Sequence, residues 1–381
     1  MLGFPAYFSG LYNKLITRGK ITLSHSKSPD SSSISRTDSI FPSILTRYGQ
    51  VIQEGLMTSI STSQLKLFSP LRYHMGWETP IGEQIQKPSN QGKSLRPALC
   101  LFASEALDGD WTQAIPAAVA IDLVHNFSLI HDDIQDGDTK RRNMPTLWYL
   151  WGHNKAILSG NVMHALAYKT ASTLMEKGIS NEKALRTSQL LSESSLSMIQ
   201  GQCLDLNFEK VIEVSVEQYL EMIKLKTGTL IACSLEIGAL LASDNEVQLK
   251  KFSKYGGHIG KLFQIRDDVL GIWGDSKKTG KATANDIRRK KKSLPIVYAL
   301  SKATGQARRS LNRIYQSKSI TENEVEEVLN ILDHLGAQQF ANSVVVHEAE
   351  LAMKTIQHSN ILPWALTEAQ ELIEFLVLRE Y

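Results

Sequence analysis

The chain has 381 residues, is 42% hydrophobic, and carries 42 Lys plus Arg against 39 Asp plus Glu, a formal net charge of +3. That length and apolar content suit one large or two modest globular domains and exclude a small disulfide-framed module. The near balance of charge excludes general nucleic-acid binding, and Cys100, Cys203 and Cys233, far apart and without metal-ligand spacing, read as reduced core residues of a reducing compartment.

Residues 1–65 differ from the rest. A serine-dense patch (Ser24, Ser26, Ser28, Ser31, Ser32, Ser33, Ser35) lacks core periodicity, so this stretch reads as a mobile extension. Before Asp30 there are bases (Lys14, Arg18, Lys20, Lys27) but no acid, and Phe4, Phe8, Leu11 and Leu15 fall at helical spacing. An organelle-targeting segment within residues 1–29 is one reading; a disordered tail on a cytoplasmic protein is the other, favoured by the single arginine among those bases.

Residues 66–381 read as one all-α domain of many packed helices. Asp110 with Gln113, Ser215 with Gln218, and Thr321 with Glu324 fit capping boxes, and Gly137 and Gly336 sit where helix C-caps are expected. The only strand-like alternation, Val211 to Val216, runs into a cap. The most apolar stretches, 117–130 and 229–242, are broken by Asp122 and Glu236, so no transmembrane segment is expected.

Chemistry concentrates in SLIHDDIQDGDTKRRNMPT, residues 128–146. On a helix running through Asp136, Asp132 and Asp136 share a face, with Asp133 turned about 100° away. Two carboxylates about 5 Å apart repel by roughly 3 kcal/mol at an effective dielectric near 20, so they need a cation or solvent. A hard ion such as Mg2+, shared with a substrate phosphate, is the natural partner; a solvated helix end is the plainer reading. A second acidic pair, Asp267 and Asp268, lies in GHIGKLFQIRDDVLGIWGD, where Gly260, Gln264, Asp267 and Gly271 form one small and polar face suited to a cavity wall. Lys93 and Arg96 in GKSLRP, and Lys140, Arg141 and Arg142 after the first cluster, add the positive charge that a phosphorylated substrate requires.

From Lys66 to Tyr381 the motifs GKSLRP, HNFSLIHDDIQDGDTKRR, IKLKTGTL and FQIRDDVLGIWGD, followed by TGKATANDIRRKKKSLP, resemble in order and spacing the trans-prenyltransferases, the head-to-tail isoprenyl diphosphate synthases. The resemblance implies an isoprenoid synthase-type bundle of long helices around a deep central cavity, working as a homodimer or heteromer, with a homodimer expected here. It implies three Mg2+ ions per site: Asp132 and Asp136 as main ligands of two, Asp133 accessory, and Asp267 as ligand of the third, beside Asp268. Arg141, Lys226, Lys281 and Lys291 would share the charge of an allylic diphosphate, while Lys93, Arg96, His125 and Arg142 would form a metal-free pocket for isopentenyl diphosphate. Thr227 and Gln264 would steady the carbocation. Phe127 and Ser128, five and four residues before Asp132, would set product length, with geranylgeranyl diphosphate favoured and farnesyl diphosphate next.

Gly271 stands where many such proteins carry a third aspartate, Asn143 replaces a common glycine and Asn161 a common aspartate; asparagine tolerates left-handed backbone and can cap a helix. His131 is superficially similar to a phosphohydrolase ligand, but no second histidine cluster accompanies it. The run RRKKK, Arg288 to Lys292, could be a localisation patch; its place suggests an active-site lid in which Lys291 reaches diphosphate and the others are solvated. Met163, Met175, Met198 and Met222 read as core. Two alternatives stay open: a terpene synthase on the same scaffold, which has no use for an isopentenyl pocket, and a regulatory subunit of a heteromeric prenyltransferase, which has no use for intact aspartates.

Overall fold

The computed structural model describes residues 41–61, 68–85, 94–275 and 283–380. The targeting segment proposed within residues 1–29, Lys93 and Lys281 lie outside them.

The helical domain begins earlier than residue 66. Helices α1 (Ser43–Arg47) and α2 (Gly49–Ser61) precede that boundary, and Ile44, Tyr48, Ile52, Leu56 and Ile60 are all 0% exposed. Their strict four-residue spacing is a core-facing stripe, masked in the sequence by the polar residues between them. Gly55 lets α2 lie directly on Val119 of the long helix Ile115–Gln135, where a Cβ would collide with a methyl group. Helix α3 (Ser69–His74) follows, then α4 (Leu95–Ala106) and α5 (Ile115–Gln135). Asp110 caps the short turn before α5 by accepting from Thr112 N at 3.0 Å, without the reciprocal bond that a capping box needs.

After α5 the chain makes a two-residue hairpin, β1 (Lys140–Arg141) against β2 (Met144–Pro145). Its loop residues Arg142 and Asn143 have φ of 50° and 63°, the left-handed pair of a type I′ turn, so the asparagine does what a glycine would there. Helices α6 (Leu147–Trp151), α7 (His153–Ser172) and α8 (Asn181–Lys210) come next. Asn161 lies inside α7 and is exposed, so it caps nothing. Residues 211–215 form no strand; they lead into the capping box of Ser215 and Gln218 that starts α9 (Val216–Ile223).

A π-turn, Lys224–Gly228, joins α9 to α10 (Thr229–Ala242), and α11 (Glu246–Trp273) follows. Helix α10 is the central post, packed against α4, α8 and α11. By length and composition, Trp111–Gln135 and Val216–Ala242 could each cross a membrane, contrary to the sequence expectation; yet 72% and 67% of their apolar windows are buried, as in core helices. The remaining helices are α12 (Asn285–Arg288), α13 (Leu294–Lys302), α14 (Gly305–Gln316), α15 (Glu322–His334), α16 (Ala337–Gln357) and α17 (Pro363–Leu378). A capping box at Thr321 and Glu324 starts α15, and Gly336 turns from α15 to α16 with φ 68°. A second apolar cluster, separate from the main core, joins Ile272 and Ile287 to Ile296, Leu311, Ile314 and Val328. Two core assignments fail: Cys203 is exposed and Met175 is 50% exposed, because each lies on the outer side of its element.

Candidate active site

Helix α5 ends at Gln135, but Asp136 keeps helical angles and its N–H reaches Asp132 O at 2.8 Å. Asp132 and Asp136 are therefore one turn apart, as expected. Burial, then the like charges of Asp136 and Asp133, lift the Asp132 carboxyl to about 6 against the pull of Lys226. Asp133 points elsewhere: it is 3% exposed and accepts from Arg141 Nε at 2.7 Å, a pair that ties the hairpin to α5. Arg141 therefore spends part of its charge on Asp133.

Lys226 sits in the π-turn. Its ammonium bonds Asp205 of α8 at 2.6 Å; burial pulls its pKa down, but Asp205, Asp132 and Asp136 more than offset this and hold it above its usual value. Asp205, which no motif indicated, is the fixed partner of that lysine. Gly201 makes the geometry feasible, since a Cβ there would run into the Lys226 backbone. One residue on, Thr227 donates to Gln264 Oε1 at 2.9 Å, and Gln264 Nε2 donates to Asp268 at 3.2 Å. The small face of α11 is thus a docking row rather than a bare cavity wall: Gly260 meets Gly228, Gln264 meets Thr227, and Gly271 lies under Asp286.

The two members of the second acidic pair differ. Asp267 is partly open, its carboxylate 45% exposed and 3.5 Å from Arg379. Asp268 is 0% exposed and accepts from Tyr219 OH, Leu294 N at 3.1 Å, Gln264 Nε2 and Lys291 Nζ at 3.3 Å. With both oxygens occupied, Asp268 is a positioning group rather than a catalytic one. Burial pulls Lys291 down, yet Asp268, Asp286, Asp267 and Asp205 raise it well above a normal lysine. Asp205 bonds Lys226, and its charge also acts on Lys291.

Beside them is a cavity of about 260 Å³ lined by Arg96, Asp122, His125, Asn126, Arg142 and Arg379, among others. Arg96 Nη1 donates to His125 Nε2 at 3.1 Å. Burial, then the nearby Arg96 and Arg142, push His125 well below its usual pKa, so it is a neutral acceptor. Burial pulls Arg96 down only to about 10, which leaves it charged. His74, bonded to Asn126 at 3.1 Å, is pushed to about 3 by burial and by Arg142 and Arg141. Asp122 and Asn126, one turn apart on α5, entered the sequence reading only as a break in an apolar stretch and as part of a motif, not as site residues; their i, i+4 relation to each other and Asp122's three-residue spacing from His125 were the available signal.

Phe127 is 6% exposed and meets His164 of α7 edge-on at 4.5 Å, with His131 at 5.7 Å on its other side. Ser128 turns its hydroxyl back onto His125 O at 2.7 Å and so occupies little space. His131 contacts Ile157 O at 3.2 Å and is a packing residue of the α5–α7 contact. The basic run is solvated only in part: Arg288 forks onto Glu322 and Arg289 meets Asp138 at 2.6 Å at the surface, whereas Lys292 is buried and donates to Phe208 O at 2.6 Å. In each case a helix end or carboxylate that folding brings close supplies the partner.

Carboxylates held one turn apart, lysines fixed opposite them and an apolar bundle behind both suit a metal-assisted reaction of a diphosphate carrying an apolar tail. The chain belongs to the polyprenyl synthetase family, whose model matches residues 80–332. It is 35% identical over 311 residues to a (2E,6E)-farnesyl diphosphate synthase of Mycobacterium bovis, covering 81% of this chain and 85% of that one. It is 38% identical over 288 residues to a geranylfarnesyl diphosphate synthase of Aeropyrum pernix, covering 75% and 88%. A polyprenyl synthetase from Streptomyces coelicolor A3(2) superposes with a TM-score of 0.82 at 32% identity, covering 88% of this chain and 99% of its own.

Proposed function

We propose that the protein condenses isopentenyl diphosphate head-to-tail with an allylic diphosphate, with Mg2+ as cofactor, and stops at geranylgeranyl diphosphate. The observation that carries elongation, as against cyclisation or a purely regulatory role, is the second basic pocket, in which Arg96 and Arg142 stand with a neutral His125. Two guanidiniums suit a diphosphate without metal. Relatives named for farnesyl and geranylfarnesyl products bracket geranylgeranyl by one unit on either side, and Phe127 with the compact Ser128 fits that intermediate length.

The donor set fits magnesium. Asp132, Asp136 and Asp267 offer only carboxylate oxygens, and Asp132 with Asp136 one turn on places two of them together, the donor type that a hard divalent cation takes. Among the described residues no three metal-ligating side chains converge on one point, which suits ions that keep water and share the substrate's phosphate oxygens. When bound, magnesium supplies electrostatic stabilisation of the departing diphosphate. Lys226 and Lys291 hold the remaining charge, each kept protonated by its carboxylate partners. Thr227, held in place by donating to Gln264, offers the negative end of its oxygen dipole to the carbocation from a fixed position. The pocket of Arg96, His125 and Arg142 orients the isopentenyl group for addition, and the closed bundle excludes water.

A homodimer is supported by exposed apolar residues on α7 and α8: Ile157, Leu158, Leu185, Leu196 and Ile199. The test is to incubate the protein with Mg2+, isopentenyl diphosphate and dimethylallyl, geranyl or farnesyl diphosphate, and to size the products. Chelation by EDTA should stop turnover and added Mg2+ restore it. Diphosphate release that is independent of isopentenyl diphosphate would overturn the reading.

A further inference from the structure

Gly271 ends the small face of α11, one turn after Asp267. A Cβ at 271 would overlap all three atoms of the Asp286 carboxyl group, so one of the two would have to move. The space above Gly271 is therefore taken by a carboxylate that comes from another element. Asp286 is 8% exposed, and its Oδ2 lies 3.7 Å from Lys291 Nζ, which is also 3.3 Å from Asp268.

The backbone fixes this arrangement. Ala284 N donates to Ile272 O at 2.9 Å, so the segment carrying Asp286 is tied to α11 directly beside Gly271. Lys291 N donates to Asp286 O at 2.9 Å, which closes a loop between the two residues of the ion pair. Ala284 and Lys290 adopt φ of 59° and 55°, a backbone cost that non-glycine residues bear only where the surroundings impose it. Ile287 anchors the same turn in the second apolar cluster.

We infer that Asp286 is the positioning residue of Lys291, and that its carboxylate, seated on Gly271, takes the place of a side-chain carboxylate on α11. Gly271 is then a seat rather than a loss. Lys291 is held between Asp268 and Asp286 as a fixed charge beside Asp267. The inference deepens the proposed allylic-diphosphate reading and rests on it for its kinetic arm alone.

The variants are Asp286→Asn, Asp286→Ala and the double variant Gly271→Asp/Asp286→Ala, which moves the carboxylate onto α11 once the space is free. Two readouts are taken on the full chain. The first, independent of substrate, is the acetylation rate of the Lys291 amine measured by mass spectrometry. It should rise at least fivefold in Asp286→Asn and return toward the parent rate in the double variant. The second is steady-state kinetics: KM for the allylic diphosphate should rise about tenfold in Asp286→Asn, KM for isopentenyl diphosphate should stay unchanged, and the double variant should recover. If the parent itself shows no condensation, the functional reading fails, while the acetylation arm still decides the positioning claim. Unchanged Lys291 reactivity in Asp286→Asn would mean that Asp286 only fills space, and would overturn the inference. So would a double variant that melts at the parent temperature yet resembles Asp286→Ala in reactivity.

Discussion

Replacing Asp122 with asparagine should stabilise the protein at neutral pH. Asp122 is 6% exposed in the basic pocket, and burial raises its carboxyl from 3.8 to about 6 even though Arg142 and Arg96 pull it back. A rise of about two pH units, at about 1.4 kcal/mol each, corresponds to about 3 kcal/mol of destabilisation once the group is ionised. Because the folded-state value lies above the unfolded one, the native protein holds the extra proton between about pH 4 and 6. Stability therefore falls as pH rises through that window and is flat above it. Asparagine does not titrate and can keep the contact between Asn126 and Asp122. The stability difference between variant and parent should be near zero at pH 4 and grow to about 3 kcal/mol by pH 7. Urea unfolding followed by circular dichroism across that range measures it. A difference that stays constant with pH would refute the argument, whatever its size.

Phe127→Ala should lengthen the product by at least one isoprene unit, because it removes the ring that meets His164; product sizing by chromatography checks this, and unchanged length would move the floor elsewhere. Tyr219→Phe removes a donor from the fully buried Asp268 and should cost about 2 kcal/mol of stability, read by denaturation. Gly201→Ala should lower both the melting temperature and turnover, since the new methyl must displace the Lys226 backbone; melting curves and activity measure the two effects, and a variant that melts and turns over like the parent would refute the close approach.

The helical class, two capping boxes and the face shared by Asp132 and Asp136 were legible because each rests on local spacing. What the sequence hid is relational. Asp133 and Asp268 look like their neighbours in a motif, yet each turns inward to a partner many residues away, Arg141 in one case and Tyr219 in the other. Asp205, Asp122 and Asp286 belong to no cluster in the sequence; only the crossing of α8, α5 and α12 with the site elements gives them a role. Helices α1 and α2 were missed for a different reason: their apolar stripe is one residue wide, and the serine-rich stretch before it drew the boundary too late.

The second apolar cluster has a consequence for altering the site. The turn that presents Asp286 and Lys291 is braced by Ile287 against Ile296, Leu311 and Ile314, whereas Phe127 is braced by α7 within the main core. The two segments thus rest on separate foundations. On the roles proposed above, substitutions that reshape the wall around Phe127 need not disturb Lys291, so product length and bond ionisation can be altered independently.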